Sequence, residues 1–166
     1  LHAMVRDKKG RKMSKSLGNV IDPLEVINGV TLDALLAKLE AGNLDPKELE
    51  RARAANTEDY PQGIAACGSD ALRYGLLAHV GHGAAVNLNI KNVEGYRNFC
   101  NKLWNVTRFA FLYLKGDADV FRPAESLAPT LLVDRWILSR LAATVRAVND
   151  NLAAYEIALA VRATHS

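Results

Sequence analysis

Apolar residues recur at helical spacings along much of this chain, and they mark where its elements lie. Leu32, Leu35, Leu36 and Leu39 fall at i, i+3, i+4 and i+7, one face of a helix. Leu72, Leu76 and Val80 share a second face. Phe99, Leu103, Val106, Ala110 and Tyr113 step by four and three, and Leu138, Leu141, Val145, Val148 and Leu152 repeat that rhythm beyond a Pro- and Asp-containing loop at 116–130. Two such seams joined by a loop predict an antiparallel helix pair of a bundle. Strand signals are sparse. Leu1–Arg6 is a short apolar run closed by the charged turn Asp7-Lys8-Lys9-Gly10, and Asn87–Ile90 reads as a brief extended piece.

Turn and cap residues sharpen these boundaries. Asp22-Pro23 opens a short helix, with Asp at N-cap and Pro at N1, and Asn28-Gly29 ends it. Gly42 is placed to stop the Leu32–Leu39 helix. Asp45-Pro46-Lys47-Glu48 starts another, with Glu48 at the capping-box position and Leu44 and Leu49 spaced as a hydrophobic staple. That helix is nearly all polar through Asn56, so it belongs on the surface. Tyr60–Gly63 is a turn, Gly68-Ser69-Asp70 opens the next helix, and Gly81-His82-Gly83 closes it. Both ends read as cut, since Leu1 begins in a strand and Ser166 falls inside an apparent helix; this predicts a piece of a longer protein.

Composition adds less. With 49% apolar and 23% charged residues among 166, the chain can bury a core, and it has no apolar run long enough to cross a bilayer. Cys67 and Cys100 form no Cys-x-x-Cys pair and read as reduced structural thiols of a reducing compartment. The spacing of Cys67, His79 and His82 matches no zinc pattern, and no metal site is expected. Charge changes the picture more. The net charge is +3, yet residues 1–16 hold Arg6, Lys8, Lys9, Arg11, Lys12 and Lys15 against Asp7 alone, so this segment carries +5 and the remainder −2. A concentrated positive field draws an anionic ligand to one place rather than coating the surface.

That place is the string Lys12-Met13-Ser14-Lys15-Ser16, bracketed by Gly10 and Gly18. Two ammonium groups three residues apart meet on one side only in a tight turn. Lysines supply mobile point charges, while Ser hydroxyls and backbone N–H groups supply neutral donors, a set suited to a polyphosphate. Met13, Leu17, Val20 and Ile21 are spaced to anchor the loop from behind.

The string and its flanks, Lys12 to Pro23, resemble the signature loop of the class I aminoacyl-tRNA synthetases. Gly68-Ser69-Asp70-Ala71-Leu72-Arg73-Tyr74 looks like the helix that follows the loop in that family, in the segment touching the inner bend of the tRNA. The stretch Glu94 to Asn105 is similar to the opening helix of the anticodon-binding bundle in the valyl branch, and Asp134-Arg135-Trp136-Ile137 fits the helix after it. The capped helical insertion between Gly29 and Gly68 also resembles the valyl type. One departure is Gly83-Ala84-Ala85, where valyl relatives often carry Gly-Arg-Asp; the charged pair and any contact it makes are missing.

The resemblance implies a mainly α chain: the C-terminal end of a Rossmann-type α/β catalytic domain at 1–30, a helical connecting segment at 31–91, and the start of an α-helical anticodon-binding bundle at 92–166. It implies that Lys12 and Lys15 are catalytic and that Lys12, Met13, Ser14, Lys15 and Ser16 bind ATP, with Mg²⁺ accompanying the nucleotide. Arg73, Arg97, Lys102 and Arg108 are candidates for tRNA contact. The implied partners are tRNA(Val), with valine and ATP bound through the rest of the catalytic domain, and no membrane. The implied reaction is activation of valine to its adenylate and transfer to tRNA in the cytoplasm, organellar use remaining open. The family's editing of mischarged threonine resides in a domain that this chain does not contain. The amino-acid pocket and the His- and Gly-rich motif of the first strand are also missing, so the chain alone is expected to be inactive. Two other readings stand beside this one: the isoleucyl branch, and a non-catalytic RNA-binding helical module. Trp104 and Trp136 are expected in the core rather than stacked on bases.

Overall fold

The computed structural model describes residues 4–80, 85–114 and 129–165. It is mainly helical and divides into two units, residues 1–98 and residues 99–166. In the first unit, strand β1 (Val5–Arg6) runs parallel to β2 (Val86–Asn87), with Val5 opposite Val86 and Arg6 opposite Asn87. Val86 N–H donates to the Met4 carbonyl at 2.9 Å and Leu88 N–H to the Arg6 carbonyl at 2.8 Å. Parallel pairing requires a long crossover, and helices supply it.

The first crossover helix, α1 (Pro23–Asn28), has its expected start, with Asp22 accepting from Leu24 N–H at the N-cap and Pro23 at N1; Glu25 adds a capping box that the sequence reading did not include. Helix α2 (Leu32–Glu40) is capped by Thr31 and ends at Ala41, one residue before the predicted Gly42. Helix α3 (Pro46–Asp59) is capped by Asp45, which accepts from Lys47 N–H at 3.0 Å. The capping box expected there does not form. The Glu48 carboxylate instead takes the Arg51 guanidinium at 2.6 Å, because a charge-assisted bond one turn along outcompetes a reach back to a neutral N–H.

Helices α2 and α3 form a hairpin clipped at its base, where Val30 and Ile64 exchange N–H···O bonds of 2.9 and 2.8 Å. Gly63 permits the clip: its φ is +79°, and a Cβ there would lie 2.2 Å from the Val30 carbonyl oxygen. Helix α4 (Ser69–His79) follows. It buries Ala71, Leu72, Gly75 and Ala78, while Leu76 packs at the core's edge and Val80 caps the helix end. The predicted stop at Gly81–Gly83 lies outside the described residues. The core gathers Val26 of α1, Leu35 of α2, Ile64, Cys67, Leu72 of α4 and Leu88 behind β2.

Helix α5 (Ile90–Tyr113) starts in this unit, with Lys91 N–H on the Asn89 side chain at 3.1 Å and with Ile90 and Val93 in the core. In the second unit, α6 (Leu132–Ala153) turns back onto α7 (Ile157–Ala163). Tyr155 makes the turn with φ +58°, Glu156 N–H bonds to the Asn151 carbonyl at 2.8 Å, and Ala158 and Ala160 are buried. The last helix ends at Ala163, and Ser166, expected inside a helix, lies outside the described residues. The expected seam between α5 and α6 is open: Trp104 is 67% and Trp136 59% exposed, so neither is a core residue. Leu103, Val106 and Leu141 are likewise exposed.

Candidate functional site

The basic loop is built on a turn. Gly10 N–H donates to the Asp7 carbonyl and Asp7 N–H to the Arg11 carbonyl, both at 2.9 Å, and Lys12 returns antiparallel to Arg6. Lys12 is therefore still extended, and the coil predicted for the lysine pair begins only beyond Met13. Ser14 caps a 3₁₀ turn, Lys15–Leu17, its hydroxyl accepting from Ser16 N–H at 3.2 Å. Gly18 ends that turn at φ +61°. Of the expected anchors, Met13 and Ile21 pack against the core, whereas Leu17 and Val20 are exposed. The support for the turn comes instead from the α2–α3 hairpin, whose Ala52, Leu39 and Leu44 side chains back Gly18.

One buried carboxylate organises the loop. Asp7 is only 7% exposed. Its Oδ1 accepts from Arg11 N–H at 2.8 Å and Lys9 N–H at 3.0 Å; its Oδ2 accepts from Arg11 Nε at 2.8 Å and Asn19 Nδ2 at 3.0 Å. Burial alone would raise the Asp7 carboxyl, but the hydrogen bonds from Arg11 and Asn19 and the Arg11 charge outweigh it and hold the group below its ordinary value. Asn19 carries this order into the signature string: Nδ2 also donates to the Lys12 carbonyl at 3.2 Å, and Oδ1 accepts from Ser14 N–H at 2.9 Å. Sequence reasoning placed Asp7 in a turn and assigned Asn19 nothing; the available signal was an Asx turn, Asp-x-x-Gly, ahead of the lysines.

Cavities of about 410 and 480 Å³ flank the Gly18–Ile21 strap, sharing Asn56 and Tyr60. The first is polar, with Lys8 paired to Asp59 and Arg51 to Glu48 on its wall. The second is mostly apolar and has Lys15 on its wall together with Lys38, which is held to Glu25 at 2.6 Å. That hydrogen bond raises the Lys38 ammonium against the opposing effect of burial, with Asp22 adding to the rise. Burial, with the charges of Asp59 and Asp7, pushes the Tyr60 hydroxyl up to about 12.

The structure brings Lys12, Met13, Ser14, Lys15 and Ser16 together on this one frame. Lys12, Lys15 and Ser16 are exposed, and no carboxylate among the described residues pairs with either lysine. Two ammonium groups therefore stand on a braced backbone with their charge uncommitted, an arrangement that can bind a phosphate chain. The remaining basic candidates lie away from the loop along the chain. Arg73 is exposed on α4. Arg97 is half-buried, and its guanidinium donates to the Ala66 carbonyl at 3.0 Å, an internal bond. Lys102 and Arg108 are exposed in the second unit. Burial raises the Cys67 thiol. Among the described residues no group of three His, Cys, Asp or Glu side chains is placed to hold a metal ion, and His82 lies outside them. Likewise, no helix among the described residues is long and apolar enough to cross a membrane.

Residues 1–89 match the family model described as tRNA synthetases class I (I, L, M and V). The chain is 51% identical to a valine--tRNA ligase of Rattus norvegicus over all of this chain and 13% of that protein. It is 50% identical to a valine--tRNA ligase of Caenorhabditis elegans over all of this chain and 16% of that protein. A mitochondrial valine--tRNA ligase of Sus scrofa is 49% identical over 99% of this chain and 15% of its own length. The chain thus spans about one-eighth to one-sixth of the length of these curated relatives.

Proposed function

The chain belongs to the class I tRNA synthetases (I, L, M and V), and from that membership we propose that it is the loop-bearing part of a valine–tRNA ligase. The observation that carries this reading is the pair of uncommitted ammonium groups, Lys12 and Lys15, on a loop whose backbone is held by Asp7 and Asn19. In the complete enzyme, valine and ATP give valyl-adenylate and pyrophosphate, and the valyl group then passes to tRNA(Val). Negative charge grows on the oxygen bridging the α- and β-phosphates as the pyrophosphate departs. Cations aimed at that charge favour the transition state over bound ATP. Lys12 and Lys15 serve this purpose, while Ser14, Ser16 and the loop N–H groups offer neutral donors to phosphate oxygens. Mg²⁺ enters with ATP, carried by the phosphates as part of the substrate.

In this proposal residues 1–30 close the nucleotide-binding domain, 31–91 connect it to the tRNA, and 92–166 begin the anticodon-binding bundle. Arg73, Lys102 and Arg108 are exposed and face RNA phosphates; Arg97 serves the fold at Ala66. The reduced thiols Cys67 and Cys100 suit a cytoplasmic or organellar matrix setting. The test is ATP–pyrophosphate exchange by the complete protein with each amino acid in turn. Valine-dependent exchange supports the reading. Exchange driven by isoleucine transfers it to a sibling enzyme, and exchange with none leaves an RNA-binding module.

A further inference from the structure

The clamp beneath the loop has a role that the lysines alone do not explain. Asp7 is buried and charged, so its orientation is costly to change, and four donors fix both of its oxygens. One of those donors is the Asn19 amide. Because the Asp7 carboxylate only accepts, it holds Asn19 Nδ2 toward itself and sets which end of the amide points where. With that end fixed, Nδ2 also meets the Lys12 carbonyl at 3.2 Å, and Oδ1 meets Ser14 N–H at 2.9 Å. The peptide groups on both sides of Met13 are thus tied to one buried charge, while the lysine side chains stay uncommitted.

We propose that Asp7 and Asn19 are positioning residues: through the Lys12 carbonyl and the Ser14 N–H, their carboxylate–amide clamp sets the backbone from which Lys12 and Lys15 reach the departing pyrophosphate. This rests on the ATP reading above and adds a division of labour. The lysines touch phosphate; the clamp touches only the loop. Loss of the clamp leaves both charges present and able to meet bound ATP, but lets them wander in the transition state, where misplacement by about 1 Å costs on the order of 100-fold. The effect therefore falls on the rate of adenylate formation and spares nucleotide affinity.

The test uses the complete ligase and single-turnover valyl-adenylate formation, with the ATP dissociation constant and the melting temperature measured alongside. If the wild type forms no valyl-adenylate, the proposed function fails first, and the failure is recognised as such. With an active wild type, Asn19→Ala lowers the rate constant about 30- to 100-fold, with ATP affinity within about threefold and melting unchanged. A rate within threefold of wild type overturns the clamp, as does a loss matched by equal losses of ATP affinity and folded protein. A second set of variants covers the case in which Asn19→Ala does not fold. Asp7→Asn turns an amide N–H toward donors that the carboxylate accepted from, and Asn19→Ser keeps a polar side chain too short to reach Asp7 and the Lys12–Ser14 backbone together. Each lowers the rate constant at least about tenfold with ATP affinity within about threefold, and the two together cost little more than the worse single one, because both break the same clamp. Rates within threefold of wild type, or losses that simply multiply in the double variant, contradict the proposal.

Discussion

A methyl group added at Gly18 is the sharpest probe of how the hairpin supports the loop. Gly18 sits at φ +61°, and an added Cβ would stand 2.8 Å from Ala52 Cβ, 3.1 Å from Leu39 Cδ2 and 3.2 Å from Leu44 Cδ1. Gly18→Ala therefore meets two penalties. The left-handed backbone costs an Ala about 1 kcal/mol, and overpacking against a helix Cβ that cannot swing aside costs about 1–3 kcal/mol. Their combined effect, about 2–4 kcal/mol, corresponds to a 30- to several-hundred-fold rise in local opening. The readout is hydrogen exchange at Leu17 and Gly18, whose N–H groups bond to the Ser14 and Lys15 carbonyls at 3.1 and 3.2 Å. Removing the facing methyl with Ala52→Gly relieves the clash but not the backbone strain, and Gly inside helix α3 costs about 1 kcal/mol. The double variant should thus regain about tenfold in protection at the loop. Exchange within twofold of wild type in Gly18→Ala, or no recovery in the double variant, would refute the view that α3 braces the signature turn.

Other consequences follow from the same contacts. Asp7 titrates below its ordinary value, so its contribution to loop order is full above about pH 4 and is lost as pH falls through its folded value. Loop exchange at Leu17 should rise below that pH in the wild type, and Asp7→Asn should abolish the rise while weakening the loop at neutral pH. Gly63→Ala drives a methyl to within 2.2 Å of the Val30 carbonyl and should open the hairpin base, seen as rapid proteolysis between residues 30 and 64; resistance equal to wild type would count against the clip. Cys67 is buried with a raised thiol, so its alkylation at pH 8 should be at least about tenfold slower in native than in unfolded protein, and equal rates would contradict that burial.

What could be read from residues alone was local. Asp22-Pro23, Asp45-Pro46 and the Tyr60–Gly63 turn are short-range signals, and the helices begin or turn where they predict. Misses arose where distant or competing partners decide. The β1 partner lies some eighty residues along the chain, at Val86, and nothing near Val5 encodes it. Glu48 chose Arg51 over the cap because two local bonds competed for one carboxylate. The α6–α7 break falls in Ala-Ala-Tyr-Glu, with no Gly or Pro to mark it, since Tyr155 adopts a conformation its type seldom takes. Trp104 and Trp136 show that an apolar helical stripe demands a covering surface without specifying one. At the loop the exposed lysine pair was legible because it is contiguous in sequence. Its support was not, because the Asp7–Asn19 bond joins residues twelve apart and Gly18 rests on a helix thirty residues away.

The central claim is that two uncommitted ammonium groups on a braced loop stabilise departing pyrophosphate. The direct measurement is single-turnover valyl-adenylate formation by the complete ligase carrying Lys12→Met and Lys15→Met together. Each lost charge contact in a pre-organised site is worth about 10²–10³ in rate, so a fall of at least about a thousandfold is predicted while tRNA affinity stays within about threefold. A rate constant near that of the wild type, or an equal fall in tRNA binding, would contradict the account.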